Sequence, residues 1–158
     1  ASGRIDELRD NLDDARKASE TDGLTALPNR RAYDLCIEAE IDRARNERSP
    51  LSLIVADVDN FKRFNDSHGH KVGDEVLKLV GRILRGQLKG SDRPARYGGE
   101  EFCIILPATN IEGAVAVAEL DRKKSEAKSL LNARRGESYG QAARSFWCAA
   151  LRPAERSE

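Results

Sequence analysis

"LSLIVADVDNF", residues 51–61, is a nearly unbroken run of β-branched and apolar side chains that closes on two acidic ones, Asp57 and Asp59. Such a run reads as a strand buried on both faces, with charge beginning where the strand leaves the core. Downstream, "FKRFND" (61–66) reads as a short helix and "SHGHKVGD" (67–74) as a loop containing the start of another. Residues 75–88 then carry Val76, Leu77, Leu79, Val80, Ile83 and Leu84 at helical spacing. "RYGGEEF" (96–102) lies between two strand-like stretches, 93–97 and 101–106. Its Gly98-Gly99 pair predicts a two-residue type I′ hairpin, because glycine tolerates the positive φ such a turn needs. Glu100 and Glu101 then open the return strand, one toward each face. Residues 111–135 predict a long charged helix with Gly136 as its C-cap, and 141–158 one more strand and a polar tail.

Upstream, Ile5, Leu8, Leu12 and Ala15 recur at spacings of three and four among charged residues, a narrow heptad seam. It suits either an amphipathic helix packed on its own domain or the stub of a longer, dimer-forming coiled coil. In "TDGLTALPNRRAYD" (21–34), Gly23 and Pro28 end that helix and Asn29 is placed to cap a second, running to about Glu47. This divides the chain into a linker helix (1–20) and one domain (21–158).

The totals set bounds. A chain of 158 residues buries one core. Its 27 basic and 27 acidic residues cancel, so no net positive field draws nucleic acid or an anionic membrane, and any phosphate binding must be local. Cys36, Cys103 and Cys148 are odd in number and lack CxxC spacing, which points to reduced thiols in a cytoplasmic compartment. No apolar run approaches the roughly 18 residues that span a bilayer, and no signal peptide opens the chain.

Asp57 at a strand end and Glu100 at a hairpin tip become neighbours if their strands adjoin in one sheet. Pooled negative charge then favours a hard cation held by oxygen, Mg²⁺ or Mn²⁺; the alternative is a pair of solvated strand ends. Lys62 and the glycine-rich loop nearby suit phosphate.

Three segments, "TDGLTALPNRRAYD", "DVDNFKRFNDSHGHKVGDEVL" and "RYGGEEF", closely resemble the GGDEF family of diguanylate cyclases, in order and in register over about residues 21–118. The resemblance implies an α/β (α+β) fold: a central, mostly antiparallel five-stranded sheet wrapped by helices, akin to polymerase palms and nucleotidyl cyclases. It implies condensation of two GTP into cyclic di-GMP with release of pyrophosphate. Asp57, Glu100 and the Val58 carbonyl would hold Mg²⁺ or Mn²⁺, and Glu100, with Glu101 sharing either duty, would activate the ribose 3′-hydroxyl. Lys62 and the amides beside Phe61 would hold phosphate. Asn65, His70 and Asp74 would line the nucleotide pocket, Asn65 and Asp74 reading guanine; a loop histidine that only bonds backbone is the other reading of His70. Gly98 and Gly99 would leave room for the nucleotide. Because one domain binds one GTP, a second copy must meet it face to face, and an upstream sensor is implied through the N-terminal helix.

The chain departs from the family pattern twice. The inhibitory product site, an Arg-x-x-Asp before the hairpin, here reads "KGSD" (89–92), with Lys89 for the arginine and Asp92 kept, so product inhibition is expected to be degenerate. After the long helix, "SFWCAALRPAERSE" (145–158) replaces an S-x-G-x-A strand and a basic helix, so the C-terminal part reads as incomplete and GTP binding as weakened. The alternative function is thus a catalytically weak or degenerate module that binds GTP or cyclic di-GMP and signals without turnover.

Overall fold

The strand expected within residues 51–61 forms over Leu51–Val58, and it organises everything around it. The computed structural model describes residues 2–58, 61–88, 90–134 and 144–151. Within them the order is α1 (Ser2–Glu20), α2 (Arg30–Glu47), β1 (Leu51–Val58), α3 (Phe61–His68), α4 (His70–Gln87), β2 (Arg93–Arg96), β3 (Glu101–Pro107), α5 (Ile111–Arg134) and β4 (Arg144–Leu151). The strands make one antiparallel sheet in the order β2-β3-β1-β4. Apolar β1 is therefore central, as a strand covered on both faces must be. The fold class is the one expected, with four strands among the described residues where five were anticipated.

Period-two alternation sorts the sheet's side chains. On β3, Phe102, Ile104 and Leu106 turn to one face and join Ile54, Ala56 and Val58 of β1 against α4 and α5. Ile105 turns to the other face and packs with Leu51 and Ala44 under α2. Helix α4 contributes Val76, Leu77, Val80 and Leu84, the helical-spacing residues of the sequence, to the first core. Burying each such side chain is worth about 1.5–3 kcal/mol, so this face is the main source of stability.

Asn29 caps α2: its side-chain oxygen accepts from the Ala32 amide at 3.1 Å while its amide nitrogen donates to the Ser19 carbonyl at 2.8 Å. Helix α1 touches α2, yet Ile5, Leu8 and Leu12 stay 56%, 58% and 69% exposed, so its apolar seam is not packed on its own domain. Cys36 and Cys103 carry free thiols, and the Cys103 thiol is pushed up to about 11, first by burial and then by the Glu101 charge. No helix among the described residues is long and apolar enough to cross a membrane.

The hairpin differs from expectation. Neither Gly98 nor Gly99 has a positive φ, and the β2–β3 connection is a four-residue loop, 97–100, in place of a two-residue type I′ turn. The amides of Tyr97 and Gly98 both donate to the Glu101 carbonyl, at 2.9 and 3.2 Å. Loops of four residues are built around turns that need no left-handed residue. Gly98 instead supplies clearance, since a Cβ there would stand 3.2 Å from a Glu101 carboxylate oxygen.

Candidate active site

Antiparallel pairing of β1 with β3 determines where the acidic residues fall. Asp57 is the register partner of Glu101, and the Val58 amide donates to the Glu100 carbonyl at 3.2 Å. Directly opposed residues of such a pair have Cβ atoms roughly 4.5–5.5 Å apart, and like charges so placed repel. Beside this pair, the Glu100 carboxyl is pushed above the usual range, first by burial and then by the charges of Asp57 and Glu101. The strands thus bring Asp57, Val58, Glu100 and Glu101 to one sheet end, where the two acidic segments do adjoin.

This donor set suits a hard divalent cation. Among the described residues no three His, Cys, Asp or Glu side chains form a protein-only cage. Mg²⁺ asks for none, because it takes one or two carboxylates and leaves its other positions to water and phosphate oxygens. The crowded carboxylates are therefore a fit for such an ion, and for Mn²⁺, which shares the preference for oxygen.

The remaining predicted residues lie on α3 and α4. Phe61 packs against the main core, Lys62 is exposed on the first turn of α3, and Asn65 is half-buried one turn later. The chain reverses at Gly69, whose φ of 87° is a conformation that favours glycine. Exposed His70 opens α4, and Asp74 follows it by one turn on the same helix side. From Val58 to Phe61 the chain reaches at most about 11 Å, so α3 starts beside the acidic strand ends. Asp59 and Asn60, which precede Phe61, lie outside the described residues.

Asp92, the described residue of the expected product site, is set apart from these groups. Asp92 directly precedes β2, whose last residue, Arg96, leads into the glycine loop. Four strand residues at about 3.3 Å each separate the two ends. Lys89 lies outside the described residues, as do Gly136 and the tail beyond Leu151.

Sequence reasoning missed the supports of the hairpin. Arg96 Nη1 lies 3.1 Å from both carboxylate oxygens of Asp22, Nη2 donates to the Gly99 carbonyl at 2.7 Å, and Nε lies 3.2 Å from the carbonyls of Gly98 and Gly99. Asp22 also accepts from the Thr25 amide and hydroxyl at 2.8 and 2.7 Å, and Arg85 on α4 donates to the Thr25 carbonyl at 2.7 Å. Tyr97 is held by Tyr33 edge-on, with ring centroids 5.2 Å apart, and by the Arg30 guanidinium 4.5 Å over its ring. An arginine two residues before the glycine pair was the one available signal.

Comparison with known proteins identifies the family of the chain. The profile of the family described as diguanylate cyclase, GGDEF domain, matches residues 19–145. The diguanylate cyclase DgcP of Pseudomonas aeruginosa is 45% identical over 108 residues, 68% of this chain and 16% of that protein. The response regulator PleD of Caulobacter vibrioides is 41% identical over 114 residues, 72% of this chain and 25% of that protein. The chain thus spans a quarter or less of the length of these curated relatives. A crystal structure of the coiled coil and GGDEF domain of DgcB from Caulobacter crescentus in complex with c-di-GMP matches with a TM-score of 0.88 at 30% identity, over 98% of this chain and 81% of that one. The active GGEEF domain of a diguanylate cyclase from Vibrio cholerae matches with a TM-score of 0.70 at 32% identity, over 81% and 79% of the two chains. With a family profile covering most of its length and an acidic hairpin paired to an acidic strand end, the chain belongs to the GGDEF diguanylate cyclase family.

Proposed function

We propose that this chain is the catalytic domain of a diguanylate cyclase, joining two GTP molecules into cyclic di-GMP with release of pyrophosphate. The observation that carries the proposal is the β1–β3 register, which opposes Asp57 to Glu101 and ties Val58 to Glu100. So many like charges at one sheet end are costly unless they serve a ligand.

In this reading Asp57, Glu100 and the Val58 carbonyl hold a divalent cation, which supplies charge neutralisation for the phosphates when bound. Lys62 and the backbone at the start of α3 bind phosphate oxygens. Asn65 and Asp74 orient guanine, the Asp74 carboxylate accepting from N1–H and N2–H₂ together, which adenine cannot satisfy; His70 lines the pocket beside them. The ribose 3′-oxygen bonds to the α-phosphorus of the facing nucleotide as the α–β phosphoanhydride bond breaks and pyrophosphate leaves. Glu100 and Glu101 divide cation binding and acceptance of the 3′ proton between them. Gly98 and Gly99 leave the hairpin tip open to the nucleotide; a Cβ at Gly99 would meet nothing within 4 Å.

Turnover needs two domains facing each other. The exposed Ile5, Leu8 and Leu12 of α1 supply the seam on which two copies pair, raising the local concentration of one site near the other. An upstream sensor would act through the same helix.

Incubation with GTP and Mg²⁺ or Mn²⁺, followed by chromatography of the products, tests the reading. Cyclic di-GMP is the expected product. Binding of GTP without product would instead make the domain a signalling module that does not turn over.

A further inference from the structure

We propose that Gly73 is a positioning residue for guanine recognition, its bare Cα forming the floor on which the Asn65 amide lies. The proposal rests on the reading of Asn65 as a base reader given above. Helices α3 and α4 are folded tightly on each other at Gly69, whose amide donates to the Asn65 carbonyl at 2.7 Å and whose carbonyl accepts from Gly73 at 3.2 Å. This brings Asn65 directly over Gly73. A Cβ at position 73 would overlap Asn65 Oδ1 and stand 2.9 Å from Asn65 Cγ, against a milder 3.3 Å from the Phe61 ring edge. The chain therefore tolerates no side chain at 73 while Asn65 keeps its place.

A second observation says why that place matters. Asn65 Oδ1 is buried and finds no hydrogen-bond donor among the described residues. Folded proteins seldom leave a buried amide oxygen so, because its desolvation is uncompensated. With Oδ1 shut in against Gly73, the amide nitrogen is the end of Asn65 left to meet a base. Guanine presents N1–H and N2–H₂ side by side, whereas adenine presents the N1 acceptor at that edge. Asp74, the next residue after Gly73, is exposed and offers the acceptor for those two donors. Gly73 thus sets the spacing between the Asn65 amide and the Asp74 carboxylate that together tell guanine from adenine. A glycine kept only for helix packing would affect both bases alike.

The test is a double-mutant cycle on the whole chain with Gly73→Ala, Asn65→Ala and the pair. Each is titrated calorimetrically with α,β-methylene GTP and α,β-methylene ATP in the presence of Mg²⁺, and each is melted as a check of folding. Gly73→Ala is expected to weaken the guanine analogue by about tenfold or more and to leave the adenine analogue nearly unchanged. The pair is expected to bind no worse than Asn65→Ala alone, since the residue that the new methyl displaces is already gone. If Gly73→Ala fails to fold, restored folding in the pair supports the proposal and continued unfolding overturns it. Unchanged guanine affinity in Gly73→Ala, or losses that multiply in the pair, overturns it while leaving the base-reading role of Asn65 standing. A wild type that binds neither analogue overturns that role, and this proposal with it.

Discussion

The Arg96 guanidinium joins Asp22 to the carbonyls of Gly98 and Gly99, so the loop that follows α1 and the tip of the acidic hairpin are two ends of one hydrogen-bonded unit. The partners lie 74 residues apart in sequence, and their side chains are 17% and 19% exposed. An ion pair this sheltered is worth more than an exposed one, because less water screens it and each partner would be left without compensation on removal of the other.

Burial by itself would raise the Asp22 pKa. The hydroxyl and amide of Thr25, and then Arg96, outweigh burial and hold the carboxyl below its ordinary range. A carboxyl more acidic in the folded than in the unfolded chain contributes stability above an unfolded value of about 4, and loses it as pH falls through the folded value. Asp22→Asn is therefore expected to cost about 1–3 kcal/mol at pH 7, with the difference from wild type shrinking below about pH 4. Urea unfolding at pH 7 and pH 3 measures both. An equal loss at the two values would show that charge is not the cause.

Glu100 has the opposite sign. Its carboxyl is raised, so ionisation costs the folded state stability once pH exceeds the unfolded value of about 4.3. Glu100→Gln is expected to melt slightly higher than wild type at pH 7, by no more than about 2 °C given solvent screening, and no higher at pH 3. Product formation from GTP should meanwhile fall by at least about a hundredfold. A lower melting temperature at pH 7 would contradict the crowding of charge that the register implies.

Phe102 follows the two glutamates and is wholly buried among the residues facing α4 and α5. Phe102→Ala is expected to cost about 3–5 kcal/mol, whereas Phe102→Leu, which keeps most of the volume, should cost less than about 1.5 kcal/mol. Chemical denaturation of both variants provides the comparison, and equal costs would show that the site collapses freely.

Self-association should depend on α1. Leu8→Asp combined with Leu12→Asp changes only exposed side chains, so the stability of the monomer should change by less than about 0.5 kcal/mol per substitution. Sedimentation velocity is expected to show the dimer population lost. A dimer that survives these substitutions would place the contact elsewhere.

Much of the fold was legible because its signals are local or periodic. The β1 run, the Asn29 cap and the helical spacing on α4 each depend on residues within a few positions, and each appeared where expected. The hairpin was legible as a hairpin but not in its turn geometry. Its shape depends on Arg96 gripping two carbonyls and on a distant aspartate, and glycine pairs are compatible with several loop lengths. Gly73 escaped notice for the same reason, since its role depends on a side chain delivered by another helix. The adjacency of Asp57 to the glutamates was conditional in the sequence and became definite only with the strand order.

The account stands on a divalent cation being held between Asp57 and Glu100 when nucleotide is bound. Anomalous scattering from crystals grown with Mn²⁺ and α,β-methylene GTP measures this directly. The account predicts a peak within about 2.0–2.6 Å of both carboxylates, with nucleotide phosphates on its far side. Nucleotide density with no anomalous peak near Asp57 and Glu100, or a peak at another place in the fold, would contradict it.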